Sequence, residues 1–129
     1  MSLVRTLPAW LHAIADYAVG GLLVVVALAV GGDGLAVATG VVVGAVVLAV
    51  SMLTRYPLGV VKVLPFTVHS AGDYLAAALL IISPFALGYS DTDGGLTVFY
   101  VAAGIAVLAV SLITNYQYSP KRNPMPAAA

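Results

Sequence analysis

Four runs of about twenty mostly apolar residues divide this chain, at residues 8–30, 34–53, 65–87 and 95–114. Each has the length needed to cross the hydrocarbon core of a bilayer, which takes roughly 20 residues of helix. Charge makes the alternative untenable. Only 8% of the 129 residues are charged and 62% are hydrophobic, whereas a soluble domain carries roughly 25% charged residues to cover its surface. The expected fold is therefore all-α: a bundle of four transmembrane helices in a multi-pass membrane protein. Arg5 followed by an apolar run and Ala27-Leu28-Ala29 imitates a secretory signal. His12 and Asp16 interrupt that run, so the segment is expected to stay as the first span.

The basic residues fix an expected orientation. Arg5 precedes the first span, Arg55 and Lys62 lie between the second and third, and Lys121 and Arg122 follow the fourth. The other two loops carry Asp33, Asp91 and Asp93 and no cation. The positive-inside rule places both termini in the cytoplasm, and the cell membrane is the expected location. With zero formal net charge nothing points to nucleic acid as a partner, and the absence of Cys removes disulfides and thiolate ligands.

An internal repeat sharpens the architecture. "LVRTLPAWLHAIADY" from Leu3 aligns without gaps to "VVKVLPFTVHSAGDY" from Val60, an offset of 57 residues. "GAVVLAVSMLTRY" from Gly44 aligns to "GIAVLAVSLITNY" from Gly104, an offset of 60. The three extra residues fall in the second outer loop. The chain reads as two tandem hairpins, residues 1–59 and 60–118, with a flexible cytoplasmic tail at 119–129. Because both hairpins begin on the same side, a two-fold axis along the membrane normal is expected to relate them. Pro8 and Pro65 are expected in first helical turns, residues 3–7 and 60–64 at the cytoplasmic interface, and Trp10, Tyr56 and Tyr116 as interfacial aromatics. Gly40-x-x-x-Gly44 permits close helix packing.

The second hairpin, "VHSAGDYLAAALLIISPFALGYSD", resembles the SPW-repeat membrane proteins, a family of small integral membrane proteins built from two-helix repeats. The histidine, the Asp-Tyr, Ser83-Pro84-Phe85 and the following Gly-Tyr-Ser-Asp stand in that family's order, with Phe in place of the namesake tryptophan. The first hairpin reads Val26-Ala27-Leu28 at the matching place. The resemblance implies four helices and a membrane, and no particular reaction.

The candidate site is the repeated His–Asp pair. Residues four apart share a helix face, so His12 lies over Asp16 and His69 over Asp73, each aspartate about 6 Å deeper. Ser51 and Thr54 lie at the same depth in the second span, Ser111 and Thr114 in the fourth. A carboxylate in hydrocarbon costs about 2.5–3.5 kcal/mol at mid-span, so both aspartates are expected to face the bundle interior with the first and third spans near one another. The preferred reading is a structural clamp in which each His–Asp pair is neutralised locally with Ser or Thr across its own hairpin. A structural or assembly role without enzyme activity, metal or cofactor follows from it, with the lipid bilayer as partner and a homo-oligomer or larger membrane complex as a possibility. Two other readings use the same residues. One is a proton-coupled transporter or channel titrating Asp16 and Asp73, although no polar path continues to the outer face. The other is a His/Asp site for Zn, Mn, non-haem Fe or haem. Ser83 and Pro84 are expected to kink the third span. Asp91 and Asp93 are expected as turn and helix-capping residues, rather than Ca²⁺ ligands.

Overall fold

The computed structural model describes residues 2–116. It is all-helical, with α1 over Ala9–Val30, α2 over Gly34–Leu53, α3 over Phe66–Ala86 and α4 over Gly94–Ile113. All four helices are long and apolar enough to cross a membrane. At 1.5 Å per residue they span about 30 Å, the thickness of the hydrocarbon core. The tail expected at 119–129 lies outside the described residues.

Local chemistry sets the ends of each helix. Pro8 and Pro65 sit one residue before α1 and α3, in extended conformation, so each is the cap and not a member of the first turn. The outer ends of α2 and α4 are capped by carboxylates. Asp33 accepts from the N–H groups of Leu35 (2.9 Å) and Ala36 (3.3 Å), and Asp93 accepts from that of Leu96 (3.1 Å). Such caps satisfy donors that a helix start leaves unpaired. The turn between α1 and α2 needs glycine at Gly32, whose φ is +111° and where an added Cβ would meet Asp93 Oδ2.

Within each hairpin the helices meet through glycine. A Cβ on Gly44 would lie 2.7 Å from the Gly20 carbonyl oxygen, and one on Gly104 would lie 2.9 Å from that of Ala77. Hydrogen there lets the backbones approach closely, which is how helices gain dispersion contacts where lipid supplies no hydrophobic drive. Large apolar side chains such as Val25, Leu75 and Ile105 point outward toward lipid. Leu23, Ala36, Leu80, Tyr89, Leu96 and Tyr100 fill the loop-side half of the interior, and Tyr100 donates to the Ala36 carbonyl at 2.6 Å.

The short segments before α1 and α3 have a definite job. Leu3 and Val4 donate to the Leu112 carbonyl, and Thr6 and Leu7 to that of Ile113. Val60 and Val61 donate to Met52, and Val63 and Leu64 to Leu53. Each leader thus satisfies carbonyls that the end of α4 or α2 leaves without helical partners. These contacts bring both ends of the described chain to one end of the bundle. They also create two isolated bridges, Leu7 with Thr114 and Thr54 with Leu64.

α3 continues through Pro84 to Ala86. Ser83 Oγ donates to the Leu79 carbonyl, one residue short of the carbonyl that Pro84 leaves without its usual donor. Pro84 is buried while Phe85 faces outward at 62% exposure, so the proline of the Ser-Pro-Phe motif packs the last turn of α3.

Candidate functional site

Four side chains converge at the leader end of the bundle. His12 Nε2 lies 3.2 Å from Asp16 Oδ1 and 3.0 Å from Asp73 Oδ2. His69 Nε2 lies 3.0 Å from Asp16 Oδ2 and 2.9 Å from Asp73 Oδ1. Each carboxylate spans both imidazoles and each imidazole faces both carboxylates, so the four form a closed ring. All are buried, with the histidines 1–2% and the aspartates 8% exposed. The backbones of α1 and α3 nowhere approach within 8 Å between Cα atoms. Side chains alone join these two helices.

The inward placement of Asp16 and Asp73 agrees with the cost of facing lipid. The partners expected for the histidines need correction. His12 was expected to find Ser or Thr on α2, its own hairpin. It bonds instead through Nδ1 to Thr114 Oγ1 at 2.7 Å, and His69 Nδ1 bonds to Thr54 Oγ1 at 2.6 Å. The leaders explain the crossing. Thr114 pairs with Leu7 and Thr54 with Leu64, and each leader residue stands five positions before a histidine. Each threonine is therefore delivered to the start of the other hairpin's first helix.

Proton positions follow from donor counting. Thr54 Oγ1 also lies 2.7 Å from the Val50 carbonyl oxygen, and Thr114 Oγ1 2.6 Å from that of Val110. A hydroxyl has one hydrogen and a carbonyl oxygen has none. If each threonine donates to its carbonyl, it must accept from Nδ1–H, and every contact is satisfied. The reverse assignment leaves two oxygens facing each other at hydrogen-bond distance with no proton. The geometry thus favours Nδ1–H on both rings and directs both Nε2 atoms into the ring of carboxylates.

Tyr56 and Tyr116 require a second correction. Expected at the interface, they are 0% and 2% exposed. Tyr56 donates to Asp16 Oδ2 at 3.0 Å and Tyr116 to Asp73 Oδ2 at 2.7 Å. Burial, and next the nearby carboxylate, raise both phenols above their ordinary value, which keeps them as donors. Their signal was in the sequence: both close the aligned segments ending "TRY" and "TNY". Phe66 completes an aromatic wall, its ring centroid 5.3 Å from His12 and 5.7 Å from His69.

The remaining candidates divide. Ser51 is fully buried and donates to the Val47 carbonyl at 2.7 Å; Ser111 is equally buried. They lie beside the phenols of Tyr56 and Tyr116 and are not hydrogen-bonded to the histidines or aspartates. Ser83 and Pro84 sit at the opposite end of α3 and do not join the cluster. Tyr17 also turns away, donating to the Leu58 carbonyl at 2.8 Å.

At the loop end, Asp93 Oδ2 accepts from the Asp33 backbone N–H at 3.1 Å, and Thr92 donates to Asp33 Oδ2 at 3.0 Å. Asp93 is thus both cap and clasp, while Asp91 is exposed.

No family model, no curated protein and no solved structure matches this chain. The class that fold and site define is a four-helix multi-pass membrane protein with a buried His₂Asp₂ cluster.

Proposed function

We propose that this protein has a structural or assembly role in the membrane, without enzyme activity, and that the His–Asp cluster is the fastening between its two hairpins. The observation that carries this reading is the crossing of the contacts: each imidazole is held by a threonine and an aspartate of the other hairpin. In lipid, where apolar helices gain nothing by hiding from their solvent, directional polar contacts of this kind choose partner and register.

The reading includes three finer parts. The cluster end is cytoplasmic, because Arg5, Arg55 and Lys62 belong to the segments at that end, and Lys121 and Arg122 follow the fourth span in the sequence. The membrane is the cell membrane. The two hairpins are repeats of the SPW type, supported by Ser83-Pro84-Phe85 and the residues around it.

Proton transport is disfavoured by what lies beyond the cluster. Leu23, Leu80, Leu96 and the rings of Tyr89 and Tyr100 close the interior there, and conduction needs polar or watered steps. The discriminating substitution is Asp→Asn at both Asp16 and Asp73. An Asn oxygen still accepts from tyrosine, and its NH₂ can donate to Nε2, so the fold should persist. In proteoliposomes, wild-type and double-variant proteins should show the same background proton flux. Robust wild-type flux that disappears in a folded Asp16→Asn/Asp73→Asn variant would overturn the clamp.

A further inference from the structure

We propose that His12, Asp16, His69 and Asp73 bind one divalent transition-metal ion of the Zn²⁺, Fe²⁺ or Mn²⁺ class, held at the centre of the ring between the hairpins. The inference rests on the clamp reading, since the ion would do the clamping, and it adds an identity for what the clamp closes on.

Three observations lead there. The first is orientation. Both Nε2 atoms are buried without a hydrogen-bond partner, although each has two carboxylate oxygens within 3.2 Å. None of these oxygens stands where a hydrogen bond from the ring nitrogen requires it. An unprotonated nitrogen and an anionic oxygen at 2.9–3.2 Å repel, so the clamp needs positive charge at the centre of the ring; imidazole protons can supply it, and a metal ion supplies it to all four groups at once.

The second is size. A tetrahedral ion with ligands at about 2.0–2.1 Å has ligand atoms about 3.3 Å apart. The nitrogen–oxygen separations here are 2.9–3.2 Å, and one ligand atom from each residue lies within 4.8 Å of all the others. Those four separations use both oxygens of each carboxylate, so closing one ligand atom from each residue onto a single ion takes rotation of the carboxylates, drawing the widest-spaced pair in by up to about 1.5 Å. Haem does not fit: the two imidazole centroids are 5.7 Å apart, with the aspartates occupying the space a macrocycle would need.

The third is the supporting shell. Ligating histidines characteristically donate their other ring N–H to a fixed acceptor, and ligating carboxylates accept further hydrogen bonds. Thr114 and Thr54 supply the acceptors, and Tyr56 and Tyr116 supply the donors. Two neutral imidazoles and two carboxylates carry a charge of −2, which one divalent ion cancels. Mixed nitrogen and oxygen donors suit ions of borderline softness. Four protein ligands leave no open position, which is the pattern of a structural site.

Co²⁺ is the probe, because its visible spectrum reports coordination geometry. Full-length protein purified in detergent and stripped with chelator is titrated with Co²⁺, and then with Zn²⁺ as competitor. The expected result is saturation near one Co²⁺ per chain, with the intense visible bands of tetrahedral coordination, bleached by Zn²⁺. Thr54→Val and Thr114→Val, which keep the ligands, should each weaken Co²⁺ binding by about 10–100-fold. His12→Gln/His69→Gln should abolish it, and Asp91→Asn should leave it unchanged. A Leu7→Cys/Asn115→Cys pair on this Cys-free chain reports hairpin docking separately, because Asn115 N–H bonds to the Leu7 carbonyl. Docked hairpins that take up no stoichiometric Co²⁺ would overturn the metal site and leave the clamp standing. Failure of the cross-link together with failure of uptake would overturn both.

Discussion

The two ends of the bundle are held by different physics. At the leader end, His12, Asp16, His69, Asp73, Thr54 and Thr114 form a buried polar ring that links the hairpins side chain to side chain. At the loop end, apolar side chains and two tyrosines fill the interior, and the hairpins are joined there by the Tyr100 hydrogen bond to the Ala36 carbonyl and by the half-buried clasp of Asp33, Thr92 and Asp93. Apolar packing in lipid is permissive, because a leucine face is as content against acyl chains as against another helix. A buried ring of directional groups is not. The leader end therefore specifies how the hairpins dock, and the loop end fills in behind it.

Removing one member of the ring should give the largest effect. Asp73→Ala would leave His12 and His69 short of a carboxylate and Tyr116 without its acceptor. Breaking a buried pair by deleting one partner costs about 3–5 kcal/mol, most of it from the uncompensated group left behind. SDS-driven unfolding in mixed micelles should show this loss for Asp73→Ala and equally for Asp16→Ala. A variant as stable as wild type would mean that the ring fastens nothing.

Much of this comparison was legible in the sequence, and unevenly so. All four spans are within one residue of their expected ends, because Pro8, Asp33, Pro65 and Asp93 mark helix starts by chemistry that needs no tertiary context. The inward placement of Asp16 and Asp73 was legible from the repeat and from the cost of facing lipid; that the two His–Asp pairs close into one ring was not. Their true partners were not. Thr114 reaches His12 only because the Leu3–Leu7 segment hydrogen-bonds to the end of α4, and such a pairing over a hundred residues leaves no periodic trace. Tyr56 and Tyr116 were misplaced for a related reason: an aromatic just past a span reads as an interface anchor unless a buried acceptor is known to await it.

A smaller effect is expected within each hairpin, where glycine and not charge sets the distance. Gly44→Ala would put a Cβ 2.7 Å from the Gly20 carbonyl oxygen, and Gly104→Ala one 2.9 Å from that of Ala77. Both obstacles are backbone, so a helix has to shift. Overpacking of this kind costs about 1–3 kcal/mol, and the two sites should respond alike in the same SDS assay. A stabilising alanine at either site would mean that the helices can separate freely, and would move the specification of the fold wholly onto the polar ring.

The smallest effect belongs to the clasp, and its pH dependence has a definite sign. The hydroxyl of Thr92, and then the N–H groups of Ala36 and Leu35, hold the Asp33 carboxyl below its ordinary value. A group whose pKa is lowered by folding stabilises the fold above its unfolded pKa, about 3.9 for aspartate, and loses that contribution as pH falls through the folded value. The clasp should therefore be indifferent to pH from neutrality down to about pH 4 and loosen only below it. Because Asp33 is solvated, the consequence should be local fraying of the α2 start and not unfolding. Amide hydrogen exchange at Leu35 and Ala36 is the measurement: protection, corrected for intrinsic rates, should fall in acid for wild type. In Asp33→Asn it should be pH-independent across the same range, since an amide side chain can still accept from both N–H groups but does not titrate. Exchange that instead accelerates between pH 5 and 8 would point to the histidines controlling the loop end, and the independence of the two ends of the bundle would be lost.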